Sequence, residues 1–151
     1  MSIIVNKVQI TDAEIGQEMQ YHPAPSQEQA WRNAAQALVI RQLLLQQAAS
    51  NGLCGEIETI TPFEKEEELI DQLLERDVSV PEADEATCQR FYDSHSASFT
   101  DKKTGERMTF EQVYANIRDY LHTKAMRIAV AEYIKALSYS AEVKGFELDN
   151  L

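Results

Sequence analysis

The sequence predicts an all-α domain with a long C-terminal helix and a small two-stranded pairing of its N- and C-terminal segments. Three observations carry that expectation. Long stretches free of Gly and Pro are each preceded by a helix-capping signal. Strand-like alternation is confined to Ser2–Ile10 and Val143–Leu148, at opposite ends of the chain. Thr109 to Glu142 has no Gly or Pro and opens with Thr109-Phe110-Glu111-Gln112, a capping box. Two short strands at the ends of a helical chain satisfy each other by pairing, which closes the domain at its termini.

At 151 residues and 44% apolar composition, the chain is long and greasy enough to bury a core as one domain. The formal charge of −11 argues against nucleic acid and anionic membrane surfaces as partners, since both are repelled. It suits basic or unfolded polypeptide. Cys54 and Cys88 make no CxxC and no metal spacing, so reduced thiols are expected. There is no transmembrane run. Met1-Ser2-Ile3-Ile4-Val5-Asn6-Lys7 is not a signal peptide, which places the protein in the cytoplasm if Met1 is the natural start.

In chain order, Ser2–Ile10 reads as one short strand. Thr11-Asp12-Ala13-Glu14 is a capping box that opens a short helix to about Gln20. His22-Pro23-Ala24-Pro25 is a turn, because each proline holds its predecessor extended. Ser26-Gln27-Glu28-Gln29 caps a long helix that stops at Asn51-Gly52. Between Gln29 and Gly52 only Arg32 and Arg41 are charged, and the run Ala37–Ile40 with Leu43–Leu45 is apolar almost all round, which predicts a buried central helix. Leu53–Ile60 is a linker with a turn at Gly55. Thr61-Pro62-Phe63-Glu64 starts the next helix with Pro at N1. Its Glu64, Glu66, Glu67 and Glu68 suit the positive dipole end, and Ile70, Leu73, Leu74 and Val78 form its buried stripe. Asp84 caps a helix to His95 that turns Cys88, Phe91 and Tyr92 inward. Thr100–Arg107, with Gly105, is a small hairpin or a plain loop.

The long last helix carries two stripes. Phe110, Val113, Tyr114, Ile117, Leu121, Ala125 and Ile128 share one side; Met126, Val130, Tyr133, Ile134, Leu137 and Ala141 lie roughly 180° away at ~100° per residue. The stripe changes face at Ala125–Ala129. Either the helix bends within one core, or it joins two layers or two chains, the last implying a homodimer through this helix.

Residue chemistry points away from catalysis. His22, His95 and His122 are scattered, with no His or Cys at ligand spacing, so neither metal nor cofactor is expected. Ser94-His95-Ser96 juxtaposes hydroxyl and imidazole, but neighbours on a helix seldom point at each other. There is no phosphate loop and no nucleophile elbow. Cys88 sits at a core position. The distinctive supply is of large apolar groups near helix ends, and adaptable aromatic and Met surfaces bind peptide. Trp31, Met108, Phe110, Tyr114, Ile117 and Tyr120 are the candidate peptide-binding residues.

Three segments together resemble a known family. Val5–Thr11 with its short helix resembles the opening of the SurA-type N-terminal chaperone domain, and Ala37–Gln46 resembles that domain's central helix. Val80–Glu85 with Cys88–Tyr92 and Phe99 is similar to the segment leading into the parvulin domain of the PpiC/NifM group of peptidyl-prolyl isomerases. Phe110–Leu148 is similar to the helix and strand that follow it. Where a parvulin domain is inserted in that family, this chain has only Thr100–Met108. The resemblance implies one SurA-like domain over 1–151 and an ATP-independent chaperone of unfolded or immature polypeptide clients, without isomerase activity. A dedicated maturation factor of the NifM kind, with one folded partner, and a residual prolyl isomerase are the alternatives.

Overall fold

A computed structural model of the chain describes residues 2–53 and 62–148, except for the side chains of Pro62 and Phe63. It is mostly helical, with five α-helices and a three-stranded antiparallel sheet among the described residues. The predicted linker turn at Gly55, the cap at Thr61 and Cys54 lie outside the described residues.

The N-terminal segment is two strands rather than one. β1 (Ile3–Val5) and β2 (Val8–Ile10) form a hairpin in the register Ile3↔Ile10 and Val5↔Val8. Asn6 and Lys7 make the turn with φ of 47° and 74°. Positive φ at both central residues belongs to the type I′ turn, whose twist matches paired strands. β1 is then the middle strand, because β3 (Val143–Lys144) pairs with its other edge at Ile4↔Lys144 and Val5↔Val143. The expected pairing of the two ends is therefore present, within a sheet of three strands. It is locked by Asn6, whose N–H donates to the Glu142 carbonyl and whose Oδ1 accepts from the Glu142 N–H, both at 2.8 Å.

The helices begin and end on local signals. α1 (Asp12–Glu18) has the full capping box between Thr11 and Glu14. It runs into a 3₁₀ turn, Met19–Tyr21. α2 (Gln27–Ser50) is capped by the Ser26 hydroxyl. It closes with Gly52 N–H to the Ala49 carbonyl and Leu53 N–H to that of Ala48, with Gly52 at φ 76°. This is the Schellman stop, and Leu53 folds back onto the apolar cluster that contains Ala48. α3 (Pro62–Asp77) and α4 (Glu85–Ser94) follow, α4 capped by the Asp84 carboxylate. Thr100–Arg107 is a small hairpin: the two end residues bridge, Asp101 N–H donates to the Glu106 carbonyl, and Gly105 sits at φ 73°. α5 (Phe110–Ser140) starts on the full Thr109–Gln112 capping box.

The chain packs as two compact units, Met1–Asp77 with Val130–Leu151, and Val78–Ala129. The first holds two apolar clusters. One gathers Ile3, Val5, Ile10, Ile15, Ala34, Ala35, Val39 and Leu43, with Trp31, Val143 and Phe146 packed against it. The other gathers Leu44, Ala48, Leu73 and Ile134, with Val130, Tyr133 and Leu137. The second unit is built on Cys88, Tyr92, Val113 and Ile117, with Phe91, Phe99, Phe110, Tyr114 and Leu121 around them. α5 thus gives its first stripe to one unit's core and its second to the other's, which is the physical meaning of the face switch. Ile128, expected on the first stripe, is instead 53% exposed, because that stripe's core ends at Leu121.

Candidate peptide-binding groove

The sequence candidates are divided between the two units. Trp31 belongs to the first unit, where it packs on Phe146 at 6.2 Å between ring centroids. The other five belong to the second. There Ile117 is 2% exposed and serves the core, so it is closed to a ligand. Phe110 and Tyr114 are half-buried and stack edge to face at 5.3 Å, with Phe110 also against Tyr92. Met108 and Tyr120 are about half exposed, at 48% and 53%. Tyr120 leans on Phe91, while the Met108 carbonyl accepts the Tyr92 hydroxyl.

Catalytic geometry is also instructive. Ser94 and His95 do touch, Oγ to Nδ1 at 3.1 Å, because His95 lies beyond the helix at φ −122°. The expectation that they point apart is corrected. Yet Ser94 Oγ donates to the Arg90 carbonyl at 2.8 Å, and His95 Nδ1 lies 2.8 Å from the Phe91 carbonyl, which accepts its proton. A protonated Nδ1 cannot take the serine proton, so the pair is a helix C-cap, not a nucleophile with its base. Cys88 is buried, and burial pushes its thiol up, away from the reactive thiolate. Among the described residues no three His, Cys, Asp or Glu side chains gather as a metal-holding group, and no helix is long and apolar enough to cross a membrane.

A concave surface lies wholly in the first unit. It is a groove of about 970 Å³. Val8, Gln9 and Ile10 of β2 form one wall, and the end of α1 with Tyr21 and His22 forms another. Its floor is a stripe of α2, Ala37, Leu38, Arg41, Gln42 and Leu45, which recur at the i, i+4, i+8 spacing of one helix face. Glu66 and Glu67 of α3 close it. Val8 and Tyr21 are exposed, at 41% and 70%.

The electrostatics are acidic. Glu14, Glu18, Glu66 and Glu67 line the groove against one guanidinium, Arg41. Arg41 reaches Glu66 Oε2 with Nε at 2.8 Å and donates to Glu67 through its other arm. Burial opposes its charge, but the hydrogen bonds and field of Glu67 and Glu66 outweigh that and raise its pKa. His22 Nε2 lies 3.0 Å from Glu18 Oε1.

Sequence reasoning missed Val8, Tyr21, Leu38 and Leu45 as site residues. A signal was present in α2, which carries more apolar positions than a single core face needs. Comparison of the chain with protein-family models, with curated proteins and with solved structures finds no match in any of the three.

Proposed function

We propose that this protein is an ATP-independent chaperone, a client-binding module that does no covalent chemistry and shields apolar segments of unfolded or immature polypeptide. The observation that carries this reading is the groove: a large open trough with Ala37, Leu38 and Leu45 in its floor and a polar rim, built on three helices and a strand. Grooves of that make-up recognise polypeptide by burying side chains along a helix or strand. The groove is too open and its ionisable groups too paired among themselves for acid–base work. The resemblance of the sequence segments Val5–Thr11, Ala37–Gln46 and Phe110–Leu148 to a SurA-type chaperone domain without its parvulin insert supports the same reading. In this reading the binding surface is the α2 stripe with Val8 and Tyr21, rather than the aromatic residues of the second unit.

The test is light scattering of a denaturant-unfolded client diluted into buffer with and without the protein. Suppression at near-stoichiometric ratios is expected. The double variant Val8→Ser with Tyr21→Ser, both at exposed positions, is expected to lose most of it with an unchanged circular dichroism spectrum. Met108→Ser with Tyr120→Ser is expected to keep it. Suppression lost in the second pair and kept in the first would move the site to the other unit; no suppression by the parent protein would reject the chaperone reading.

A further inference from the structure

The groove runs along the outer edge of β2. Among the described residues, the strand order β2-β1-β3 leaves β2 with no strand on its other side. In a hairpin closed by a two-residue turn, the flanking pair exchanges both its hydrogen bonds, and every second pair after it does the same. Val5↔Val8 and Ile3↔Ile10 are those pairs, so the main-chain groups of Val8 and Ile10 turn to β1 and those of Gln9 turn away from it. Successive side chains of a strand point to opposite faces. Val8, Gln9 and Ile10 nevertheless all line the groove, which requires that the strand present its edge to it. One outward donor and one outward acceptor, on Gln9, therefore stand beside an apolar floor. The Gln9 side chain is engaged with the Ser2 hydroxyl at 2.7 Å. Around that edge stand four carboxylates and a single guanidinium already held by two of them.

We propose that the groove takes an extended cationic–apolar peptide segment, which adds to the edge of β2 at Gln9 and sets its basic side chains against Glu18 and Glu67. The proposal rests on the groove being the polypeptide site and names what it selects. The edge supplies sequence-independent main-chain bonds, Leu38 and Leu45 take the apolar side chains, and the carboxylates favour Lys or Arg between them. An acidic segment is rejected by like charge.

The experiment is fluorescence anisotropy of the full chain with two labelled ten-residue peptides of alternating Val/Lys and Val/Glu. The Lys peptide is expected to bind at least about tenfold tighter, and to weaken as salt shortens the screening length from about 10 Å at 0.1 M to about 3 Å at 1 M. Gln9→Pro removes the outward N–H, a change edge strands tolerate, and also the side-chain contact to Ser2, which Gln9→Ala removes by itself and so controls for. Relative to Gln9→Ala, Gln9→Pro is expected to weaken the Lys peptide about fivefold, the worth of one hydrogen bond. Peptides N-methylated at single central amides supply the same test without altering the protein. Equal affinity for the two peptides, or full affinity of every N-methylated peptide together with Gln9→Pro, overturns the proposal. If neither peptide binds while Val8→Ser with Tyr21→Ser still abolishes suppression of client aggregation, this proposal falls and the chaperone reading stands.

Discussion

Gly145 offers the sharpest probe of the closure of the termini. Its φ is +84°, and a Cβ built there would lie 2.6 Å from the backbone oxygen of Ser2 and 3.5 Å from the Ile3 Cα. Gly145→Ala therefore carries two penalties. A left-handed backbone costs an L-residue about 1 kcal/mol. The overlap is with main chain, so no side chain can swing aside, and β1 or the segment after β3 must shift at about 1–3 kcal/mol more. Gly52 separates the two terms. It also has a positive φ, +76°, but nothing lies within 4 Å of its would-be Cβ. Gly52→Ala should therefore lose only the conformational part, about 1 kcal/mol. For a chain of this size each kcal/mol moves the melting temperature by about 2–4 °C. Gly145→Ala is thus expected to fall by about 4–16 °C, and Gly52→Ala by about 2–4 °C. Amide exchange should also quicken at Ile4 and Asn6, which face β3 and Glu142. Equal shifts for the two alanine variants would refute the argument, since they would show that Ser2 gives way freely and that the end pairing holds nothing in place.

Three further outcomes follow from the same geometry. Lys7 holds φ 74° in the hairpin turn, so Lys7→Gly should raise stability by about 0.5–1 kcal/mol, read by urea unfolding. Leu73 is fully buried whereas Ile128 is 53% exposed; Leu73→Ala should lose about 2–5 kcal/mol and Ile128→Ala under about 0.5 kcal/mol in the same assay. Burial, then the hydrogen bond from Tyr133 to Asp77 at 2.5 Å, hold the Tyr133 phenol above its ordinary pKa of about 10. A raised folded pKa means that its contribution is complete below about pH 10 and is lost as pH climbs through the folded value. Tyr133→Phe should accordingly flatten the alkaline limb of the stability profile, measured by urea midpoints from pH 8 upward.

The elements whose signals are local were legible in the sequence. The Thr11–Glu14 and Thr109–Gln112 boxes and the Asn51-Gly52 stop each occupy a few consecutive residues and act within one turn of helix. The face switch of α5 was legible because both stripes lie in one helix. The β1–β2 turn was not, although it left a trace. Ile3 and Val5 are buried at odd positions, while the alternation resumes at even positions with Val8 and Ile10. A two-residue turn produces that slip of one, but Asn6-Lys7 lacks the Gly that usually announces it. The groove was hidden for a different reason. Its walls come from residues about 8–10, 14–22, 37–45 and 66–67, and no pattern within one helix reports a neighbour that distant in the chain.

α2 shows why the central helix is apolar almost all round without being wholly buried. Ala34, Ala35, Val39 and Leu43 face the cluster under the sheet, and Leu44 and Ala48 face the cluster of α3 and α5. Two cores account for those six positions. Among the described residues Ala37 and Leu45 join neither cluster and Leu38 packs on the margin of the first; all three are half-buried and lie in the floor of the groove. Arg41 falls on the same stripe, and its partners are the carboxylates of α3 that border the groove. A helix that needed only two core faces would gain solubility from polar residues at 37 and 45, positions that pack into neither cluster among the described residues. These half-buried apolar side chains line the groove beside the outer edge of β2. They are the residues that a bound polypeptide would cover.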